Sequence, residues 1–296
     1  MKKISFCIVN YGGMLDTLEC INSIKLAAFS YNIHIIVVDN NSPNGDYNKM
    51  LLSFGGDIQE SFFNGYLVSK VYFSNEGYLY FVKNTRNSGF GAANNIRIGY
   101  AKYNNFDICI LLNNDTIVEK KFIEKVCGYL CDKDFKCAFS VKSLSYYSHS
   151  VVDSLGFGYV NMRTGETSHV KKYPKRYLVG SCIIMNNIND IPYFDENFFL
   201  YYEDIDYSFK LIESGYTLMY NDMIHIKHKI NASTKLSPNL EKIKIESLVY
   251  FVAKYSSGMD YCLFIALRVV YYILHLRIKQ LVFFLKNVEL CNKKRL

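Results

Sequence analysis

No stretch of this chain reaches the uncharged length that a transmembrane helix needs. The N-terminus carries two lysines and then runs directly into a strand-like segment, without the apolar region of a signal peptide. Internal repeats and low-complexity segments are missing, which argues against repeat architectures. The nine cysteines follow no regular spacing and include no Cys-x-x-Cys pair and no zinc-spaced set. Cys7, Cys109 and Cys182 lie inside apolar runs as small core residues, and Cys127 and Cys131 are four apart in a helical pattern. This usage implies a reducing, cytosolic compartment. No Ser-His-Asp order of a hydrolase is visible.

The chain has 296 residues, half of them hydrophobic, enough to bury a large core in one domain or one and a half. Its net charge of +7 is unevenly placed. From Leu236 onward ten Lys/Arg face four Asp/Glu, which puts six of the seven surplus charges in the tail. Such asymmetry points to an anionic surface, membrane or nucleic acid. A nucleic-acid binder would carry basic residues interleaved with stacking aromatics in its globular part, whose charge is near zero here. Nucleic acid is therefore not an expected partner.

The stretch around which the rest is organised is Ile108-Cys109-Ile110-Leu111-Leu112-Asn113-Asn114-Asp115-Thr116. Five apolar residues suit a strand buried on both faces and are too few for a typical helix. Ligands of open α/β sheets bind beyond the carboxyl ends of the strands, so Asp115 stands where an acidic oxygen would meet one. A plain polar turn after a core strand is the alternative. The same arrangement occurs twice more. Ile4–Asn10 reads as a strand ending in Asn10-Tyr11-Gly12-Gly13, and His34–Asp39 as a strand ending in the turn formers Asn40-Asn41-Ser42-Pro43-Asn44-Gly45. A helix with Leu15, Leu18 and Ile21 inward follows the first, and Tyr78 to Val82 is the third strand.

Next comes Arg86-Asn87-Ser88-Gly89-Phe90-Gly91-Ala92-Ala93-Asn94-Asn95, whose glycines would let backbone N–H groups approach a ligand at a helix start. It is not a dinucleotide fingerprint, because Asn94 occupies the third glycine position and the motif follows the third strand. The key strand and a helix from about Glu119 to Cys131 follow. The β-α-β-α-β order predicts a mostly parallel sheet with helices on both faces. Beyond Cys137 the period shortens. Strands are expected at Cys137–Val141 and Val179–Met185, with a hairpin around Thr164-Gly165 between them. Phe194–Asp206 leads into a helix whose face carries Ile205, Phe209 and Ile212 and which stops at Gly215, so Glu203 and Asp204 lie at its N-terminus. Met219 to Ile226 is a last strand, with His225 and His228 at its end.

Taken together, Val9-Asn10-Tyr11, Val37–Ser42, Asn87–Asn95, Leu112–Thr116, Phe199–Asp206 and His228 with Ala232-Ser233-Thr234 resemble glycosyltransferase family 2, in particular its rhamnosyltransferase-like branch of bacterial O-antigen and capsule enzymes. The motifs occur in the family's order over roughly the first four-fifths of the chain. The sequence departs from the family in carrying Asn113 where many relatives have Asp, and in a long segment between Pro43 and Tyr78.

The resemblance implies a GT-A fold, a Rossmann-like α/β domain over 1–235, with a nucleotide-sugar-binding half (1–118) and an acceptor half (119–235) before a basic helical tail (236–296). It implies an inverting, metal-dependent hexosyltransferase that uses a UDP- or dTDP-sugar. Asp204 matches the general base, with Glu203 and Asp206 as competing candidates whose ordinary duty would be to complement a helix dipole. A helix N-terminus would keep Asp204 ionised. One base without a nucleophile implies direct displacement, the metal standing in for a general acid. Asp115 suits a hard cation, and His228 as second ligand favours Mn²⁺ over Mg²⁺. His225 is the more structural of the two histidines. Asp39 would accept from the imide N–H of uracil or thymine, or simply cap its turn. Asn10, Tyr11, Arg86, Asn94 and Asn114 would line the donor, or serve as strand-end and helix caps. Gly180 and Ser181 would border the acceptor, which in this branch is polyprenyl-diphosphate-linked.

Two other readings remain. A nucleotidyltransferase would want a basic phosphate loop after the first strand, which Asn10-Tyr11-Gly12-Gly13 is not. A non-catalytic membrane scaffold would explain the tail but not the acidic strand ends. In the tail, Arg268, His275, Lys279 and Lys286 step by seven, four and seven, one stripe on an otherwise apolar helix. That pattern suits a helix in a membrane interface, on the inner face of the cytoplasmic membrane. Packing on the catalytic domain or in a homodimer would cover the same apolar face.

Overall fold

The structure, a computed structural model, describes residues 2–28, 31–74, 77–148, 151–229 and 239–295. The first half contains β1 (Lys3–Asn10), α1 (Met14–Ala27), β2 (Asn32–Asp39), α2 (Asp46–Phe54), β3 (Gln59–Phe63), β4 (Tyr66–Ser74), β5 (Gly77–Lys83), α3 (Gly89–Tyr103), β6 (Ile108–Asn113), β7 (Thr116–Val118) and α4 (Phe122–Leu130). Then follow β8 (Cys137–Ser145), β9 (Val152–Ser154), β10 (Phe157–Val160), β11 (Thr167–Ser168), β12 (Lys175–Leu178), β13 (Cys182–Asn186), α5 (Glu203–Glu213) and β14 (Thr217–His228). Three helices come last: α6 (Leu240–Tyr255), α7 (Gly258–Leu274) and α8 (Ile278–Arg295).

The large sheet has the order β3-β4-β5-β2-β1-β6-β13-β8-β14-β7, with β9 beside β8. Its centre, β5-β2-β1-β6, is parallel, as the alternation of strands and helices requires. These strands are apolar almost throughout because both faces are covered. Helices α1, α2 and α4 close one core around Ile24, Met50 and Phe122; α3 and α5 close the other around Tyr100 and Tyr207. Past β6 the sheet is mixed. β13 runs antiparallel between β6 and β8, and β14 is parallel to β8 but antiparallel to β7.

That mixture assembles the site. The register sets Asn10 opposite Asp39 and Val9 opposite Asn113, so three carboxyl ends share one edge. Because β13 is antiparallel, the residues before it, Gly180 and Ser181, arrive at that edge, where the Asn113 N–H donates to Ser181 O at 3.0 Å. β14 ends with His228 opposite Thr116.

The long segment after Pro43 forms α2 and the β3–β4 hairpin. α2 buries Tyr47, Met50 and Leu51, whereas the edge strand β3 keeps every residue except Phe63 exposed. A strand with no buried face leaves no alternation to read.

The tail is three helices rather than one. Val249, Phe251 and Val252 of α6, Phe264 of α7 and Phe284 of α8 form a core with Ile205 of α5 and with Val160 and Tyr177 of a small β11-β10-β12 sheet. The expected single basic stripe is corrected: α7 stops at Leu274, Leu276 turns back with φ +54°, and α8 begins at Ile278. Arg268 therefore lies on one helix and Lys279 and Lys286 on another. Among the described residues no helix is long and apolar enough to cross a membrane. Ala232-Ser233-Thr234 fall outside the described residues.

Candidate active site

Asp115 follows β6 and is almost fully buried. Its Oδ1 lies 3.2 Å from His228 Nε2, and His228 Nδ1 lies 3.0 Å from Asp153 Oδ2. The imidazole is thus gripped between two carboxylates. Burial disfavours its charge, but the hydrogen bonds it donates to Asp115 and Asp153 outweigh this and raise its pKa to about 9. The bond to His228 in turn lowers the pKa of Asp153. Asp153 was not among the sequence candidates. It reaches His228 because β9 pairs with β8, and no local pattern around Val152–Ser154 signals it.

Asp115 and His228 also fit a divalent cation. Two donor atoms 3.2 Å apart match adjacent ligands at ordinary metal–oxygen and metal–nitrogen distances of about 2.1 Å. A carboxylate on the far ring nitrogen is the usual orienting partner of a metal-bound histidine. Among the described residues no group of three or more such ligands occurs, so any further coordination would come from ligand or water.

Glu203 and Asp204 open α5. They follow Tyr201 and Tyr202, both left-handed with φ +70° and +66°, a costly conformation for two aromatic residues. The turn is held from outside: Tyr202 Oη donates to Gly165 O at 2.9 Å and Ser247 Oγ of α6 to Leu200 O at 2.8 Å. Asp204 accepts from the N–H groups of Ile205 (2.9 Å) and Gly180 (3.3 Å). A Cβ on Gly180 would stand 3.2 Å from that of Asp204, so a glycine suits this approach. Helix-start N–H groups do not dominate here. Burial raises the pKa of Asp204 to about 6; burial and the Asp204 charge raise that of Glu203 to about 8. The side-chain oxygen Glu203 Oε2 has no hydrogen-bond partner. Asp206, the competing candidate, is fully buried and accepts from Lys254 Nζ at 2.5 Å and Tyr255 Oη at 2.6 Å, which ties α5 to α6.

Asn113, His228, Gly180, Ser181, Glu203 and Asp204 all line one cavity of about 740 Å³, whose outer wall comes from α6, α7 and Arg277 in the turn after α7. This volume is within the range of small-molecule sites.

The other expected donor contacts divide. Asp39 is buried at the edge; its carboxylate accepts from Asn10 Nδ2 (2.8 Å) and from the side chain and N–H of Ser42 (2.5 and 3.2 Å). Tyr11 is half-buried beside it. Asn114 donates to Thr17 Oγ1 at 3.0 Å. Asn10 is fully buried, with its amide shared among Asp39, Ser42, Asp46 and Thr17, so it positions Asp39 rather than facing a ligand. Asn94 is corrected in the same way: it is fully buried in α3, donating to Phe90 O and accepting from Arg97. Arg86 is exposed and lines a separate groove of about 530 Å³ with Phe63 and Tyr193. The glycine motif also has a different use. Gly89 has φ +85°, and a Cβ there would lie 2.6 Å from Phe199 O, to which the Phe90 N–H donates at 2.8 Å. That helix start docks the loop leading to Asp204 instead of a phosphate. His225 lies 3.6 Å from Glu119, away from the cavity.

No family model matches the sequence, and no curated protein matches it. Solved structures do. One is residues 1–349 of Staphylococcus aureus TarS in complex with UDP-GlcNAc: 12% identity, TM-score 0.57, covering 96% of this chain and 79% of that one. The same protein in complex with UDP gives 15% identity and TM-score 0.54, covering 86% of this chain; the match spans 65% of that structure, under two-thirds of its length. The Pyrobaculum calidifontis mannosyltransferase PcManGT, in complex with GDP-Man and Mn²⁺, gives 12% and 0.53, covering 98% of this chain and 75% of that one. At such identities the likeness is one of fold: this chain has the α/β fold of glycosyltransferases.

Proposed function

We infer that the protein is an inverting, metal-dependent glycosyltransferase of family 2 that moves a hexosyl group from a UDP- or dTDP-sugar to a saccharide acceptor. The observation that carries this reading is the pairing of two chemistries in one place at the carboxyl edge of the sheet. The Asp204 carboxylate and the His228 ring of the Asp115–His228 pair both line one cavity. A direct displacement needs a proton acceptor for the incoming hydroxyl and charge neutralisation for the leaving diphosphate.

Asp204 takes the acceptor proton. The N–H groups of Gly180 and Ile205 hold its carboxylate in place, and its raised pKa makes it a stronger base than an exposed aspartate. Glu203, with one free buried oxygen, accepts from or donates to an acceptor hydroxyl beside it. Asp115 and His228 hold the cation, Mn²⁺ or Mg²⁺, with Asp153 orienting the ring. Bound there, the cation supplies Lewis acidity to the leaving diphosphate. Asp39 keeps the nucleobase at the other end of the edge, braced by Asn10 and Ser42. UDP- and GDP-sugar complexes of the structural neighbours support a nucleotide-sugar donor. The motif resemblance supports an acceptor of bacterial surface polysaccharide, lipid-linked and met at the inner face of the cytoplasmic membrane.

Incubation with a panel of UDP- and dTDP-sugars, with and without Mn²⁺ or EDTA, tests the reading by release of free nucleotide. Metal-stimulated release from one donor is the expected result. No release from any member of the panel overturns it.

A further inference from the structure

The loop from Phe194 to Tyr202 delivers Asp204, and its shape needs outside support. Tyr201 and Tyr202 at its end are both left-handed, a conformation that aromatic side chains disfavour. Such a turn persists only where its surroundings over-determine it. Much of that support comes from one helix. Ser247, Tyr250, Phe251, Lys254 and Tyr255 of α6 stand at i, i+3, i+4, i+7 and i+8, a single helical face. All five touch the loop or the first turns of α5.

Ser247 Oγ donates to Leu200 O at 2.8 Å, immediately before the two left-handed residues. The Phe251 ring lies 5.1 Å from that of Tyr202. Tyr250 Oη donates to Asp195 Oδ2 at 2.9 Å, and its ring meets that of Phe198 edge-on at 4.8 Å. Lys254 ties the loop at two points. Its Nζ bridges Asp195 Oδ2 at 2.7 Å and Asp206 Oδ1 at 2.5 Å, and Tyr255 Oη also donates to Asp206 Oδ1, at 2.6 Å. One carboxylate precedes Asp204 in the chain and the other follows it, so a single ammonium closes the loop on both sides. The Asp206 side chain is fully buried and that of Asp195 is 12% exposed. Ionic groups this far from water hold a geometry firmly, because displacing one leaves the others uncompensated.

From α6 the catalytic cavity is lined by Glu241, Lys244, Ile245 and Leu248, not by these five residues. Any influence they have on the chemistry therefore runs through the loop. Asp204 accepts from Ile205 N at 2.9 Å and from Gly180 N at 3.3 Å. The second bond is already long, so a small movement of the loop breaks it first.

We propose that Lys254 is a positioning residue for Asp204, and that the α6 face from Ser247 to Tyr255 locks the base in reach of the acceptor hydroxyl. The first helix of the tail is then part of the catalytic machinery. This rests on the glycosyltransferase reading and adds to it residues that lie outside the cavity.

The test compares full-length Lys254→Gln, Lys254→Arg and Ser247→Ala with wild type. Nucleotide release from the UDP- and dTDP-sugar panel gives kcat and donor KM, and titration with UDP and Mn²⁺ gives affinity. Amide hydrogen exchange at Gly180 reports the bond to Asp204 from a segment that α5 and α6 do not contain. Lys254→Gln should lower kcat about tenfold, keep donor KM and UDP affinity within about twofold, and speed Gly180 exchange about tenfold. Lys254→Arg, which keeps the charge, should recover most of both losses. Ser247→Ala removes one hydrogen bond and no charge, so it should fold normally and lower kcat about threefold with the same split. Wild-type kcat and Gly180 exchange in Lys254→Gln overturn the proposal, as does an equal loss in Lys254→Arg or a parallel loss of UDP affinity. If Lys254→Gln does not fold, Ser247→Ala decides, and wild-type kcat and exchange there overturn it. Absence of release from the wild type defeats the transferase reading; Gly180 exchange in the variants still decides whether α6 positions Asp204.

Discussion

Asp204→Asn is the most informative perturbation. The amide keeps the shape of the carboxylate and can still accept one of the two N–H groups, that of Ile205 at 2.9 Å. What it loses is the capacity to take a proton. Positioned general bases contribute roughly 10²–10⁴-fold, about 3–5 kcal/mol of barrier. The variant should therefore lower kcat for transfer to acceptor or water by that factor while donor affinity stays near wild type. Stability should move the other way. Burial raises the pKa of Asp204 from 3.8 to about 6, so the folded state binds its proton more tightly than the unfolded chain does. The associated stabilisation is complete below pH 4 and is lost as pH rises through 6, an upper bound of about 3 kcal/mol at neutral pH. A neutral amide is free of that loss, so Asp204→Asn should melt higher than wild type at pH 7.5. In wild type, kcat/KM should fall on the acid side with a midpoint near pH 6, and the residual activity of the variant should lack that limb. Nucleotide release at saturating and at limiting donor across pH 5–9, with calorimetric melting of both proteins, measures all three. Near-wild-type kcat, or a lower melting temperature with loss of donor binding, would refute the role of Asp204.

Glu203→Gln should flatten the pH dependence of stability. Glu203 is raised to about 8, so wild type should lose stability between pH 5 and 8.5 and the variant should lose less, as thermal melts at the two pH values will show. Asp153→Asn weakens the carboxylate that orients His228 and should raise the Mn²⁺ Kd by about 10–100-fold in calorimetric titration; an unchanged Kd would remove Asp153 from the metal's support. Gly89→Ala meets Phe199 O at 2.6 Å in a left-handed conformation, so it should cost about 2 kcal/mol or more in denaturant unfolding and lower kcat through the loop that carries Asp204. Asp39→Ala should raise donor KM more than it lowers kcat; the reverse split would place Asp39 nearer the reacting carbon.

Much of the site was legible before any contact was known. β1, β2 and β6 announce themselves as short apolar runs that end in Asn or Asp, and strand direction puts those ends on one edge. The start of α5 at Glu203 and its stop near Gly215 are local signals, and the structure repeats them. Side-chain chemistry and periodicity are properties of neighbouring residues, so the chain alone carries them.

Partners are different. Asp153 and His228 are 75 residues apart, and only the pairing of β8 with β9 and β14 brings them together. Asn94 and Asp39 are both polar residues in candidate ligand-facing motifs, yet packing turns one into the interior of α3 against Arg97 and leaves the other at the end of β2. Gly89 looks the same in sequence whether it admits a phosphate or a carbonyl of its own chain; the position of Phe199 decides. The apolar tail promised a buried face without naming its cover, and the fold supplied α5 and the small sheet for the inner faces of α6–α8. Composition and spacing determined which chemistries this protein has available. Strand register and helix packing decided which of them face the same cavity, because hydrogen bonds and burial depend on distances that sequence separation does not set.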